Sequence, residues 1–304
     1  MKMFFKKYWF KFTDRKKYQD YKFSQTIKKE TENFKNNLEK YINGIQQKIK
    51  TKNQLSFLHS GTSGDVINSL PVIKELSKTH KCNFYLQINK PHKVVHRNNY
   101  SNVVMNENTL NMLLPLLKCQ KYINNVEKYN NQEIDINFDN FRELPISFLS
   151  DNLRYCFHLV GIQPDILEAY ISVDPHKKIT NKVVILRTLR YQNYFISYKF
   201  LENYENLFFI GTKVEYEDLK KEVKNLQFYS CRDFLEVAMI IKSCRVFIGN
   251  SSIGHGLAEA LKIPRLLEAC PYFPAAQPHG KNAYDFYFQT HFEKFFKKIY
   301  EKKS

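Results

Sequence analysis

The sequence predicts an α/β protein of two domains whose parallel sheets face a cleft, preceded by a helical extension. Three observations predict it. Twice, over residues 55–78 and 246–261, a short apolar run ends in a turn of small residues that passes directly into a helical pattern. In both places another apolar run follows the helix, and a strand, helix, strand order demands parallel pairing. Finally, 304 residues exceed one ordinary domain and accommodate two of about 120 residues with extensions.

Composition narrows the class. The hydrophobic share is 43%, with 9 glycines and 10 prolines, which is globular. No apolar run approaches the roughly 20 residues of a membrane-spanning helix. The six cysteines (Cys82, Cys119, Cys156, Cys231, Cys244, Cys270) form no C-x-x-C pair and no metal-ligand spacing. Reduced, mostly buried thiols of a cytoplasmic protein account for them. The formal charge of +17 is uneven: residues 1–53 hold 15 Lys/Arg against 5 Asp/Glu, and the other 251 residues hold 32 against 25. The excess therefore belongs mainly to the extension. Glu30, Glu32 and Glu39 break any clean basic face there, which argues against a nucleic-acid partner.

Within the extension, residues 1–13 interleave Phe4, Phe5, Tyr8, Trp9, Phe10 and Phe12 with lysines. Lys6, Lys7 and Lys11 interrupt what a signal peptide would need as a continuous apolar stretch. Rings beside ammonium groups suit an anionic membrane surface, so a peripheral position on the inner face of the membrane is expected. From Asp14 to Lys52 a narrow stripe (Ile27, Phe34, Leu38, Ile42, Ile45, Ile49) predicts a long helix lying against the body.

The first domain spans 54–175. It opens with a strand at 55–58, a turn HSGTSG at 59–64, a helix at 65–78 containing Pro71, and a strand at 83–88. Helices are expected at 110–117 and 149–160, with a polar stretch between. Asp135–Asp139 begins like a calcium loop, but Asn140 and Ile146 stand where such a loop needs Gly and Glu, and no metal is expected. Residues 161–178, with Pro164 and Pro175, are the expected hinge.

The second domain, 176–304, starts with a strand at 182–186 that runs into RTLRYQN. Arg187, Thr188 and Arg190 at a strand end are suited to clamping phosphate oxygens. Another strand closes at Gly211, a helix covers 234–241, and the chain then reads CRVFIGNSSIGHGLAEALKIPRLLE from Cys244 to Glu268. A turn of Asn250, Ser251 and Ser252 before a helix either caps that helix or offers its N–H groups and dipole to an anion. The end of the chain reads as a closing helix.

Two motifs carry a resemblance. HSGTSGDVINSLPVIKEL, residues 59–76, resembles the G-x-x-G-D-x-[IV]-x-x-[LT]-P motif of bacterial heptosyltransferases, glycosyltransferase family 9. FIGNSSIGHGLAEALKIPRL, residues 247–266, resembles the family's D-[TS]-G-[LP]-x-H-[LI]-A-x-[AS]-L segment, matching in kind at Ser251, Ile253, His255, Ala258 and Leu261. Asn250 stands where the family has Asp, Ser252 where it has Gly, and RTLRYQN replaces a lysine-bearing loop.

The resemblance implies a GT-B fold, two Rossmann-like domains across a cleft. It implies an inverting, metal-independent transfer of a heptose or related sugar from a nucleotide-diphosphate donor to a saccharide or lipid-linked acceptor, as in lipopolysaccharide biosynthesis. No cofactor beyond the donor is implied. By the same resemblance Asp65 is the base, and Gly61, Thr62, Ser63 and Gly64 border the acceptor. The donor is expected to be held by Arg187, Thr188, Arg190, Gly211, Asn250, Ser251, Ser252, Ile253 and Gly254, with His255 either touching phosphate or orienting the turn, and Glu259 either near a ribose hydroxyl or facing solvent. Two rivals keep the architecture: a nucleotide-sugar epimerase, and a non-catalytic nucleotide-sugar or glycan binder.

Overall fold

The structure, a computed structural model, describes residues 2–91 and 103–301, with side chains from Lys7 onward. Phe4, Phe5 and Lys6 of the aromatic, lysine-rich tail fall outside the described side chains. The extension is helical throughout: α1 (Lys2–Thr13), α2 (Arg15–Asn33), a π-helical turn (Phe34–Leu38) and α3 (Glu39–Thr51). The long helix expected over 14–52 is thus broken by one wide turn. Asp14 ends α1 and starts α2, its side chain accepting from Lys17 N–H. No side chain of α2 is buried. The apolar stripe reaches the body only from the π turn onward, where Leu38 and then Ile45 enter the core.

The first domain follows as β1 (Gln54–His59), α4 (Ser63–Leu76), β2 (Lys81–Leu86), α5 (Glu107–Lys118), β3 (Asn125–Lys128), β4 (Ile136–Asn137) and α6 (Tyr155–Val160). The second runs β5 (Val183–Leu186), β6 (Leu207–Phe209), α7 (Lys213–Lys220), β7 (Gln227–Phe228), α8 (Phe234–Ser243), β8 (Val246–Asn250), α9 (Ile253–Leu261), β9 (Arg265–Glu268), β10 (Ala283–Phe286) and α10 (Gln289–Tyr300). Every pairing between these strands is parallel. Covered by helices, β5, β8 and β9 are buried at every position, as a parallel sheet requires.

The strand orders locate the ligand crevices. The first sheet is β3-β2-β1-β4 and the second β7-β6-β5-β8-β9-β10. Counted along the chain, the second is the 3-2-1-4-5-6 order of a doubly wound sheet. Such sheets bind ligands beyond the carboxyl ends of the strands where the order reverses. Here those ends are His59 and Asn137 in the first sheet, and Leu186 and Asn250 in the second.

Two expectations are corrected. The helix expected over 149–160 begins only at Tyr155. Before it, Ser150 N–H bonds Ser147 O and the Asp151 side chain takes Leu153 N–H, local bonds that compete with helix formation. The polar stretch 124–139 hides β3 and β4, of four and two residues, which are too short to show alternation. Pro71 sits inside α4, buried, without ending it.

One apolar core crosses from domain to domain. Val66, Ile67 and Leu70 of α4 and Leu113 and Leu117 of α5 belong to the same buried cluster as Val237 and Ile241 of α8 and Leu257 and Leu261 of α9. A second core lies under α10, with Phe292, Phe296 and Ile299. The residues expected to form a hinge are stitched to the second domain, with Tyr170 N–H on Ala260 O and His176 N–H on Met239 O. No described helix is long and apolar enough to cross a membrane.

Candidate functional site

On the first domain, β1 ends at His59 and the chain turns through Gly61 into α4. Glycine is required there: a Cβ on Gly61 would lie 2.5 Å from the His59 ring and 2.8 Å from Asp65 Oδ2. Thr62 and Asp65 form a reciprocal capping box, Thr62 N–H donating to Asp65 Oδ2 at 2.9 Å and Asp65 N–H to Thr62 Oγ1 at 3.4 Å. Thr62, Ser63, Gly64 and Asp65 are half-buried, while Gly61 is covered. The Asp65 side chain keeps 26% of its surface in solvent.

A second carboxylate and a guanidinium stand behind it. Arg142, on the 3-10 turn that follows β4, reaches Asp65 Oδ2 with Nη2 at 3.0 Å and Asp139 Oδ1 with Nη1 at 3.2 Å. Its guanidinium rests 4.4 Å above the Phe141 ring. Asp139 is buried and also takes Ser60 N–H at 3.0 Å, the Ser60 hydroxyl and Lys90 Nζ at 2.8 Å. Burial pushes the Asp139 carboxyl up, but the His59 ring, Lys90 and Ser60 outweigh it and hold the group well below the usual carboxylate range. His59 Nδ1 lies between Gly61 N–H at 3.0 Å and Asp139 Oδ1 at 3.2 Å. Two contacts thus compete for one nitrogen. Sequence reasoning missed His59, Asp139, Arg142 and Lys90. The only available signal was the run Asp135–Asp139 at a strand end, which had meaning solely as a failed calcium loop.

On the second domain, Asn250 is fully buried and staples the loop after β5 to the end of β8. Its Oδ1 accepts Thr188 N–H at 2.9 Å, and its Nδ2 donates to Thr188 O at 2.9 Å and Arg190 O at 2.7 Å. The side chain is committed to the scaffold and does not face a ligand. An amide suits the position, because its oxygen accepts one N–H while its NH2 group donates to two carbonyls. Asn250→Asp would set a carboxylate against two carbonyl oxygens; we expect it to lower the unfolding free energy by about 2–5 kcal/mol, read by urea denaturation.

The start of α9 is different from the starts of α4 and α7. Those carry full capping boxes, whereas Ser252 makes no cap and donates its hydroxyl to Asn250 O at 3.0 Å. Ser251, Ser252 and Ile253 are half-buried at this end, and Gly254 packs against Leu186 and Phe247. Thr188 is half-buried beside them, and Arg190 is exposed, 5.7 Å from the Tyr191 ring.

Two expected donor contacts, Arg187 and Glu259, are corrected. Arg187 is buried and paired with Glu268 through Nε at 2.6 Å and Nη2 at 2.8 Å, so it cannot reach out to phosphate. Glu259 is also buried; it accepts from Arg265 Nε at 2.8 Å and Nη2 at 2.5 Å, from Lys262, and from His279 N–H at 3.1 Å. It is a counter-ion inside the second domain and offers nothing to a ribose. His255 lies under the turn with neither ring nitrogen hydrogen-bonded among the described residues. Burial, opposed in part by Glu259, pushes its imidazole down to about 4. Gly211 is set by packing: a Cβ would meet the Phe209 ring at 2.6 Å and Glu215 Oε2 at 2.9 Å, inside the capping box of α7.

The two strand ends come together through their helices. A Cβ on Gly256, the fourth residue of α9, would lie 3.9 Å from Ile67 Cγ2, in the fifth residue of α4. Each contact is about one turn into its helix, so the two N-termini lie near each other at the domain junction. Gly61–Asp65 and Ser251–Ile253 thus lie at the starts of two helices that pack on each other across the domain junction.

No protein-family model matches the sequence, and no curated protein matches it. Solved structures do. The chain is similar to E. coli heptosyltransferase WaaC with ADP, at 9% identity and a TM-score of 0.55, covering 81% of this chain and 99% of that one. It is similar to a family 9 glycosyl transferase from Veillonella parvula at 11% identity and a TM-score of 0.52, covering 83% and 90%. The complex of WaaC with ADP-2-deoxy-2-fluoro heptose matches at 9% identity and a TM-score of 0.50, covering 77% and 92%. At these identities the likeness is one of fold. The two-sheet, GT-B-like architecture implied by the two motifs is the architecture observed.

Proposed function

We propose that the protein is a glycosyltransferase that moves a heptose or related sugar from a nucleotide-diphosphate donor to a hydroxyl of a saccharide or lipid-linked saccharide. The observation that carries this reading is a partly exposed carboxylate, Asp65, at the start of α4, a helix that packs against α9, whose own N-terminus is uncapped. Displacement at an anomeric carbon needs a base for the acceptor proton and positive potential for the departing diphosphate. Asp65 supplies the first. The N–H groups at the start of α9, with Thr188 and Arg190, supply the second, and the transfer runs with inversion and without a metal. Arg142 holds Asp65 by Oδ2, which fixes the carboxylate as it accepts the proton.

Two of the solved structures, both of WaaC, are with ADP or ADP-2-deoxy-2-fluoro heptose, which makes ADP-linked sugars the first donors to try. In a thermal-shift panel of ADP-, UDP-, GDP- and CMP-sugars, the true donor at about one hundred times its Kd adds about 2.7 kcal/mol of stability. Arg190→Ala is expected to shrink that shift, and Arg187→Lys to weaken the fold without acting on the ligand directly. A panel in which no nucleotide diphosphate shifts the protein overturns the reading.

A further inference from the structure

Helix α1 is an amphipathic element that the catalytic reading leaves unused. At about 100° per residue, Tyr8, Trp9 and Phe12 share one third of its circumference, and Phe10 faces the other way. Phe10 is the ring that turns inward: it meets Tyr21 edge-on, with centroids 6.2 Å apart. In a straight helix those residues would be about 16 Å apart, so the chain bends at Asp14 toward the side that carries both rings. That bend aims the opposite face outward, with Trp9 65% and Phe12 79% exposed. Lys11 borders it, its Nζ standing 5.8 Å from the Phe12 ring centroid, while Lys7 lies on the side of Phe10.

We propose that this face of α1 docks on an anionic lipid bilayer. The charge selects the partner. Residues 1–29 carry ten lysines and arginines against two aspartates, and Arg15, Lys16 and Lys17 stand exposed at the bend. A second copy of the chain would bring the same cations face to face. A bilayer rich in acidic headgroups meets them with opposite charge and accepts aromatic rings at headgroup depth. Phe23 and Ile27 of α2, 68% and 46% exposed, lie on the side away from Tyr21 and thus away from α1, so they take no part. The proposal is independent of the reaction catalysed at the crevice.

Trp9 is the only tryptophan in the chain, so intrinsic fluorescence reports on this face alone. The full-length protein is titrated with vesicles of phosphatidylcholine containing 30% phosphatidylglycerol, with pure phosphatidylcholine vesicles, and with single-stranded DNA. The expected result is a blue shift of Trp9 emission on the anionic vesicles only, weakened at high salt. The Lys11→Glu/Arg15→Glu double variant and Phe12→Ser are each expected to lower the partition coefficient at least about tenfold, while Phe23→Ser stays within about twofold. Absence of a shift on anionic vesicles overturns the proposal. So does an equal shift on neutral vesicles, a response to DNA alone, or a shift that follows protein concentration without lipid.

Discussion

Glu268→Ala is expected to remove about 3–5 kcal/mol of stability, the range for breaking a buried ion pair from one side. Glu268 is fully buried at the end of β9. Its carboxylate receives Arg187 Nε at 2.6 Å and Nη2 at 2.8 Å, the Tyr198 hydroxyl at 2.9 Å and Asn193 N–H at 2.5 Å. Alanine leaves a guanidinium, a phenol and a backbone N–H without their acceptor, in a space that water does not readily fill. Arg187 also lies 4.8 Å from the Tyr198 ring, so the cation keeps a partial partner and the loss falls short of a bare buried charge. Urea unfolding reads the effect directly. The double variant Arg187→Met/Glu268→Leu removes both charges and should recover most of the stability, because the cost lies in the orphaned partner more than in the lost bond. A loss below about 1 kcal/mol for Glu268→Ala would mean that the buried network relaxes freely.

The same network ties stability to the site. Arg187, Thr188 and Asn193 belong to one loop after β5, held at its start by Glu268 and Asn250 and at its far end by Asn193 Nδ2 on Ala269 O at 3.1 Å and Tyr287 O at 3.0 Å. The loop therefore crosses the carboxyl ends of β8 and β9 in a fixed path. Tyr191, at its centre, adopts φ +57°, a left-handed conformation that side chains usually avoid. Its ring stacks on Phe273 at 5.2 Å, and the anchors on either side hold it there.

What was legible in the sequence follows from what each residue type can signal alone. The βα units of β1/α4 and β8/α9 were readable because Gly61 and Gly249 end apolar runs and the helical period begins at once. The doubly wound order was not readable, since strand order depends on contacts between segments and β4 and β7 are two residues each. Arg187 illustrates the limit at the site. An arginine at a strand end is equally suited to phosphate and to a buried carboxylate, and its partner Glu268 lies 81 residues away. Glu259 was misjudged for the same reason: the helical period gives its position, but Arg265 and Lys262, just past the end of the helix, turn back onto it. Arg142 and Asp139 were invisible because their relation to Asp65 is made by the turn after β4, in a stretch with no period.

Asp65→Asn is expected to lower turnover by about 10²–10⁴-fold, the usual worth of a positioned general base, while leaving donor binding and the fold in place. The isosteric amide keeps an oxygen to accept Thr62 N–H, and its backbone N–H still reaches Thr62 Oγ1, so the cap of α4 survives. Turned that way it also keeps an acceptor for Arg142 Nη2, now 3.0 Å from Asp65 Oδ2. What the amide cannot do is take a proton. The measurement is release of nucleoside diphosphate from the donor identified by thermal shift, with and without acceptor, together with the thermal shift itself. Lost turnover with an unchanged shift assigns Asp65 to the chemistry. Lost turnover with a lost shift would mean that the substitution disturbs the crevice. Unchanged turnover would reduce Asp65 to a helix cap, and the capping box would then be its whole purpose. These outcomes separate because Asp65 sits on α4 in the first domain, whereas the groups proposed to hold the diphosphate, Thr188, Arg190 and the start of α9, all belong to the second.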